Sequence, residues 1–146
     1  VNRGHDFACA RKAIEETARR GIRVGAHIIL GLPGEDAEES LRQAPIISSL
    51  PLTTLKIHQL QIIRGTRLAK MYAEKPFHLY TVEEYIKLIA DYISLLRPDL
   101  VLERFVSQSP PDLLIAPKWG LKNYEFTHRL HNYMKEKLNN KAQSDK

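Results

Sequence analysis

Three polar side chains with chemical capability alternate with apolar residues on two predicted strands. His27 lies on the first strand, and Lys56 and His58 lie on the second. Because strand side chains alternate between two faces, these three share the face opposite the apolar residues. Imidazole and ammonium groups bind polar or anionic ligands and position protons. Arg104, on a third strand, is a further candidate. A hydrogen-bonded structural set, or a solvent-exposed face, is the alternative interpretation.

A tight turn, Gly31-Leu32-Pro33-Gly34, follows the first strand. Ligands of α/β sheets and barrels bind at the carboxyl ends of the strands, so a small-molecule site is predicted here. The turn is not a dinucleotide fingerprint, because GxGxxG is not matched, and it is not a P-loop, because no Gly-Lys-Ser/Thr follows. An ordinary connection between a strand and a helix is the alternative interpretation.

Composition bounds the class of protein. A chain of 146 residues, with 43% hydrophobic and 27% charged residues, is ordinary for one globular domain. The apolar runs are too short for a membrane span and no signal segment is visible, which predicts a cytoplasmic protein with no membrane partner. The single cysteine, Cys9, excludes an internal disulfide and an iron–sulfur cluster held by this chain alone. The histidine spacing predicts no metal site.

Helices and strands alternate along the chain, and these elements must position the polar residues. Predicted in order are a helix from about His5 to Arg20, a strand from Ile22 to Leu30, a helix from Asp36 that Pro45 kinks or stops early, a strand from Thr54 to Ile63, a short helix over 67–74, a helix opened by the capping box of Thr81 and Glu84, a strand from about Leu100 to Val106, and a helix from about Tyr124 to Leu138. Strands separated by helices predict a parallel sheet, either a small open sheet or an arc of a barrel. A complete eight-stranded barrel needs roughly 250 residues.

Five stretches of the sequence, taken in order, resemble one family. They are Asn2-Arg3-Gly4-His5-Asp6, HIILGLPGE from His27 to Glu35, LKIHQL from Leu55 to Leu60, GTRLA from Gly65 to Ala69, and WGLKN from Trp119 to Asn123. The set resembles the later half of a radical S-adenosylmethionine enzyme, in a group of Fe–S oxidoreductases related to oxygen-independent coproporphyrinogen oxidase and to elongator-type enzymes. The resemblance implies the C-terminal arc of a partial (β/α)6 TIM-like barrel, with three parallel strands, helices and a C-terminal helix over residues 1–138. The polar residues 139–146 predict a frayed tail.

The resemblance also implies the cofactors. In the family, a CxxxCxxC motif holds a four-iron four-sulfur cluster, and the reduced cluster cleaves S-adenosylmethionine to a 5′-deoxyadenosyl radical. This sequence contains no such motif. We therefore expect both cofactors in the intact protein, neither of them bound to this chain alone, and the missing N-terminal half of the same protein as its partner. The chain would then be inactive alone.

The family's corresponding strand and turn cradle the adenine of the cofactor. The resemblance therefore implies cofactor-binding roles for Ile29, Gly31, Leu32, Pro33, Gly34 and Glu35, and a substrate lumen that contains His27, Lys56, His58 and Arg104. The residue types suit these roles, since Ile29 offers an apolar surface to a flat base and glycines let the backbone approach a ligand closely. The substrate and the catalytic residues stay unassigned.

The last predicted helix and its approach are basic, and they support an alternative function. The basic residues are Lys118, Lys122, His128, Arg129, His131, Lys135, Lys137 and Lys141. With Tyr124 and Tyr133 they could contact RNA phosphates and bases. The alternative is therefore a stand-alone α/β module that binds RNA or a protein through this helix. A solvated amphipathic helix explains the same residues more simply.

Overall fold

The computed structural model describes residues 4–144. The elements in chain order are α1 (Phe7–Arg19), β1 (Gly25–Leu30), α2 (Ala37–Ser49), β2 (Thr54–Gln59), β3 (Ile62–Ile63), α3 (Arg67–Glu74), α4 (Val82–Ser94), β4 (Val101–Arg104), β5 (Leu114–Ala116) and α5 (Asn123–Ser144). Asn2 and Arg3 of the first quoted stretch, and residues 145–146 of the predicted tail, lie outside the described residues.

The main sheet has three parallel strands in the order β1-β2-β4. The register pairs His27 with Lys56 and Ile29 with His58 across β1 and β2. Lys56 pairs with Arg104 across β2 and β4, next to an irregularity in the register. This arrangement confirms the predicted α/β fold class and brings the carboxyl ends of all three strands to one edge of the sheet.

One hydrophobic core lies on the apolar face of this sheet. Leu55 and Ile57 of β2 are fully buried and belong to the same cluster as Tyr85 and Ile89 of α4. Each such side chain contributes about 1.5–3 kcal/mol by leaving water. The pattern of exposure along β1 alternates up to the buried Leu30, as the sequence predicts for a strand with one covered face.

The predicted strand from Thr54 to Ile63 is wrong as one element. β2 ends at Gln59, and the Leu60 N–H donates to the carbonyl oxygen of Leu30 at 3.0 Å. The chain then joins a second sheet, in which β3 pairs with β5 in the antiparallel sense. The sequence gives no signal for this change of sheet, because no glycine or proline separates the two segments.

The early stop allowed for at Pro45 does not occur, and one predicted helix end is wrong. α2 continues through Pro45 to Ser49, because Ala44 and Ile47 on either side of the proline are buried in the core and hold the helix there. A proline removes one hydrogen-bond donor, which core packing of this kind offsets. α5 continues past Leu138 to Ser144, where lysine, alanine and glutamine are good helix formers. The division of the chain at residue 138 stays a prediction.

Two tyrosines of α4 provide a matched test of the core. Tyr85 donates its hydroxyl to the carbonyl oxygen of Phe105 at 3.0 Å, whereas the Tyr92 hydroxyl has no hydrogen-bond partner within the described part of the chain. Both side chains are fully buried. Tyr85→Phe should lower the free energy of unfolding by about 1–2 kcal/mol, because the Phe105 carbonyl is left unsatisfied. Tyr92→Phe should leave it unchanged or raise it. Urea unfolding checks both, and equal losses would contradict this account.

Candidate functional site

The turn after β1 is closed by a carboxylate. Glu35 Oε2 accepts a hydrogen bond from the Leu32 N–H at 3.0 Å. Glu35 Oε1 accepts hydrogen bonds from Ser40 Oγ at 2.7 Å and from Gln43 Nε2 at 2.8 Å. Hydrogen bonds to a charged acceptor are the strong ones, and these three join the turn to α2. The geometry therefore gives Glu35 a positioning role in the turn.

The two glycines of this turn are needed for different reasons. Gly31 has φ +85° and Gly34 has φ +84°, a conformation that L side chains rarely adopt. A Cβ at Gly31 would also lie 3.0 Å from Cε2 of the Tyr80 ring, whereas a Cβ at Gly34 would meet no atom within 4 Å. Gly31 is thus required by packing as well as by the backbone.

A cavity of about 390 Å³ lies at the carboxyl ends of β1 and β2. Its lining residues are His27, Ile29, Leu32, His58, Gln59, Leu60, Gln61 and Ser107. The structure therefore brings together four of the residues predicted from the sequence, which are His27, Ile29, Leu32 and His58. Lys56 and Arg104 pair with each other one step back along the sheet and do not line this cavity.

The polar face of the sheet carries a cluster of charges around His58. The rings of His27 and His58 are 5.5 Å apart between centroids. Burial lowers the pKa of His58 below its usual 6.5, and the positive charges of His27, Arg104 and Lys56 lower it further. Its Nδ1 atom is buried and has no hydrogen-bond partner within residues 4–144. His58 is therefore neutral at pH 7, and a neutral imidazole beside a cavity can accept or donate a proton.

Lys56 has a carboxylate partner that the sequence analysis missed. Its Nζ lies 3.0 Å from Glu103 Oε2. Hydrogen bonds from Thr54 and Lys56 lower the pKa of Glu103 below its usual value. The irregular register between β2 and β4 allows this contact, because it lets two successive residues of β4 approach Lys56.

The polar floor of the cavity was also missed. Gln59 Oε1 accepts a hydrogen bond from the Ser107 N–H at 2.8 Å, and its Nε2 donates to the Ser107 carbonyl at 3.1 Å. Gln61 Nε2 donates to the same carbonyl, also at 3.1 Å. These bonds tie the end of β2 to the segment after β4. The available signal was two glutamines, two residues apart, at the end of an apolar strand.

The resemblance implies two cofactors, S-adenosylmethionine and an iron–sulfur cluster. The residues of this chain fit the adenine of the first and do not fit the second. Cys9, the single cysteine, is exposed on α1. Within the described residues, no group of three or more His, Cys, Asp or Glu side chains is placed to hold a metal ion, so these residues do not fit an iron–sulfur cluster. Ile29 is 44% exposed and lines the cavity together with Leu32, which fits an apolar surface for a flat base.

The basic face of α5 is partly used within the fold. Phe126 and Leu130 anchor the helix in the core, and Lys137 pairs with Asp91 of α4. The side chains of His128, Arg129, His131, Lys135 and Lys141 are exposed. Contact of this face with RNA or with a protein stays a prediction. Within the described part of the chain, no helix combines the length and the apolar character needed to cross a membrane.

Comparison with known proteins decides the family. The model of the Radical_SAM C-terminal domain matches residues 52–136, more than half of the chain. The chain belongs to the radical SAM family. The match begins after the Gly31–Gly34 turn, so it does not cover the turn. The similarity of the turn to this family is supported instead by relatives whose alignments include it.

Two curated relatives cover the turn as well as the radical SAM C-terminal domain. The uncharacterized protein MJ0486 of Methanocaldococcus jannaschii is 33% identical over 94% of this chain and 43% of its own length. The uncharacterized protein YtqA of Bacillus subtilis is 31% identical over 86% of this chain and 39% of its own length. The chain thus spans about two fifths of the length of these relatives.

A solved structure supports the fold of this radical SAM domain. The archaeal Methanocaldococcus infernus Elp3 with an N-terminal deletion superposes with a TM-score of 0.81 at 24% identity. The match covers 93% of this chain and 32% of the Elp3 chain. The resemblance read from the five sequence stretches is confirmed, for the C-terminal part of such a protein.

The two turn glycines predict different losses of stability. Gly34→Ala should lower the free energy of unfolding by about 1–2 kcal/mol, the cost of a left-handed conformation for an L residue. Gly31→Ala should cost about 1–3 kcal/mol more, because its Cβ would press on the Tyr80 ring. Urea unfolding of both variants checks the difference. Equal losses would show that Tyr80 yields without cost.

The charge cluster predicts a pH dependence. Arg104→Gln should raise the pKa of His58, because a positive charge near the ring is removed, while the exposed Arg129→Gln on α5 should leave it unchanged. Titration of the imidazole signals by NMR measures both. Since the folded-state pKa lies below 6.5, the stability that His58 contributes is present above that pH and is lost as the pH falls. A His58 pKa at or above 6.5 in the unsubstituted chain would overturn this assignment.

Proposed function

We propose that this chain supplies one wall of the cofactor and substrate cavity of a longer radical SAM enzyme. The observation that carries the proposal is the cavity at the carboxyl ends of β1 and β2, which places the apolar Ile29 and Leu32 beside the imidazoles of His27 and His58. One part of this lining suits an adenine ring and the other suits a polar substrate.

The cofactor side of the proposal refines the six residues predicted from the sequence. Ile29 and Leu32 pack on the adenine of S-adenosylmethionine, and Gly31, Pro33, Gly34 and Glu35 give the turn its shape. When bound, S-adenosylmethionine and the iron–sulfur cluster supply the 5′-deoxyadenosyl radical. The single, exposed Cys9 supports the further proposal that the cluster ligands come from the N-terminal part of the intact protein, and that this chain alone is inactive.

The substrate side of the proposal rests on the charge cluster. Burial lowers the pKa of His58, and the charges of His27, Arg104 and Lys56 lower it further, so the neutral imidazole can exchange a proton with a substrate in the cavity. Glu103 holds the Lys56 ammonium in place. His27 faces the same cavity and adds a second imidazole. A cytoplasmic location belongs to the same proposal and rests on composition.

The adenine-packing role of Ile29 can be measured in the intact protein. With the cluster reconstituted and reduced, Ile29→Ala should slow the release of 5′-deoxyadenosine at subsaturating S-adenosylmethionine. The expected loss is roughly five-fold, corresponding to about 1 kcal/mol of apolar contact. Saturating S-adenosylmethionine should restore most of the rate. Ile46→Ala on α2 is the matched control, because both isoleucines are 44% exposed and Ile46 lines neither the cavity nor the turn.

Two results would count against the proposed function. Equal rates for the Ile29 and Ile46 variants at subsaturating S-adenosylmethionine would remove Ile29 from the cofactor wall. A coding sequence that extends upstream without a CxxxCxxC motif would remove the source of the cluster, and with it the radical chemistry.

A further inference from the structure

A second cavity, of about 500 Å³, opens beside the first. Gln59, Gln61 and Ser107, which form the polar floor of the first cavity, also line the second, so the two cavities share this floor. The rest of the second cavity is formed by the segment after Ser107 and by the run from Pro117 to Lys122. None of the residues predicted as cofactor-binding or substrate-lumen residues lines it, whereas Lys118 and Lys122, predicted only as part of a basic surface, do. We call it the Trp119 cavity.

The far wall of the Trp119 cavity is anchored at both ends. The Trp119 indole donates from Nε1 to the Tyr80 carbonyl at 3.1 Å and lies parallel to the Phe126 ring, with an interplanar angle of 8°. The Asn123 side chain accepts a hydrogen bond from the Phe105 N–H at 3.3 Å. These contacts explain why the WGLKN stretch contains tryptophan and asparagine. The backbone N–H of its lysine, Lys122, donates to Glu125 Oε2 at 2.7 Å, but its ammonium group has no ion-pair partner among the described residues.

The charged residues that line the Trp119 cavity are all positive. Lys118 and Lys122 both line it, and no described residue in the lining carries a carboxylate. Neither ammonium forms an ion pair with a residue of the described chain, unlike Lys56 with Glu103 or Lys137 with Asp91. Cations that line a concave site without a carboxylate partner attract anionic ligands.

The shared floor is also rich in donors. Gln59 is only 6% exposed. Gln59 and Gln61 each use one N–H of the amide on the Ser107 carbonyl, and a glutamine amide carries two. Gln61 Oε1 is occupied by the Ser109 hydroxyl at 2.7 Å. Each glutamine therefore has a second amide N–H to offer, while its side-chain oxygen already accepts one hydrogen bond.

We propose that the Trp119 cavity binds a small planar organic anion, whose flat body packs against Trp119 and whose anionic head is held by Lys118 and Lys122. Aromatic walls with a few converging polar groups are typical of small-molecule sites. In the intact enzyme this ligand is the substrate or a part of it, an assignment that rests on the proposed function. The binding of the anion to this chain does not depend on the proposed function.

Trp119 is the single tryptophan of the chain and lines this cavity, so tryptophan fluorescence reports on a ligand bound there. The full chain is titrated with phenyl phosphate, benzoate, the neutral benzamide and inorganic phosphate. Phenyl phosphate or benzoate should change the fluorescence saturably, with a dissociation constant on the order of 1 mM for ligands of this size. Benzamide and inorganic phosphate should bind at least several-fold more weakly. The tighter of the two aromatic anions identifies the head group that the site prefers.

Variants test the two lysines. Lys118→Gln and Lys122→Gln should each weaken binding of the preferred anion by roughly five-fold, as expected for a charge pair near the surface, and added salt should weaken it further. Lys87→Gln is the control, because Lys87 is exposed on α4 and lines neither cavity. Equal affinity for benzamide and benzoate, or no effect of either cavity lysine, would overturn the proposal. Such a failure leaves the Ile29 test of cofactor binding unaffected, and a failure of that test leaves this one standing.

Discussion

β2 is bonded to a parallel strand on each side, and this position constrains the rest of the structure. A strand paired on both sides loses its core face if it slips by one residue, because the side chains alternate with period two. Leu55 and Ile57 are therefore held against α4, and Lys56 and His58 are held on the opposite face. The parallel sense has a second consequence. It brings the carboxyl ends of all three strands to one edge, where both cavities lie.

The Glu35 carboxylate fixes the turn that follows β1. By accepting hydrogen bonds from the Leu32 N–H and from two side chains of α2, it joins the end of β1 to the next helix. Gly31 lets the backbone pass under the Tyr80 ring, and Tyr80 in turn accepts the Trp119 indole N–H at its carbonyl. The turn at the first cavity and the wall of the second are thus connected through one residue, Tyr80. This connection explains how segments far apart in the chain form one continuous edge.

Basic residues lie in two places near the cavities: around His58 beside the first cavity, and in the lining of the second cavity. Burial lowers the pKa of His58 most, and Arg104 and Lys56 add to that effect, so these two residues act on the first cavity without lining it. Lys118 and Lys122 line the second cavity directly. The sequence analysis placed His27, Lys56 and His58 on one face, and the structure brings His27 and His58 together, because alternation along strands is a local property. It could not separate residues that line the cavity from residues that lie behind it, because that depends on where each strand ends.

The sequence by itself determined the order of the main helices and strands, the face of each strand and the family. Periodicity, capping residues and motifs each involve residues that are close together in the sequence, so they can be recognised without a structure. Only the tertiary structure decided that β2 ends at Gln59, that α2 continues through Pro45, and that Glu35 closes a turn. It alone revealed Glu103, Gln59 and Ser107, whose partners lie tens of residues away. The contacts of Glu103, Gln59 and Ser107 join distant segments, and no local pattern in the chain encodes them. The Glu35 bonds are local in sequence, but which side chains meet depends on how α2 follows the turn.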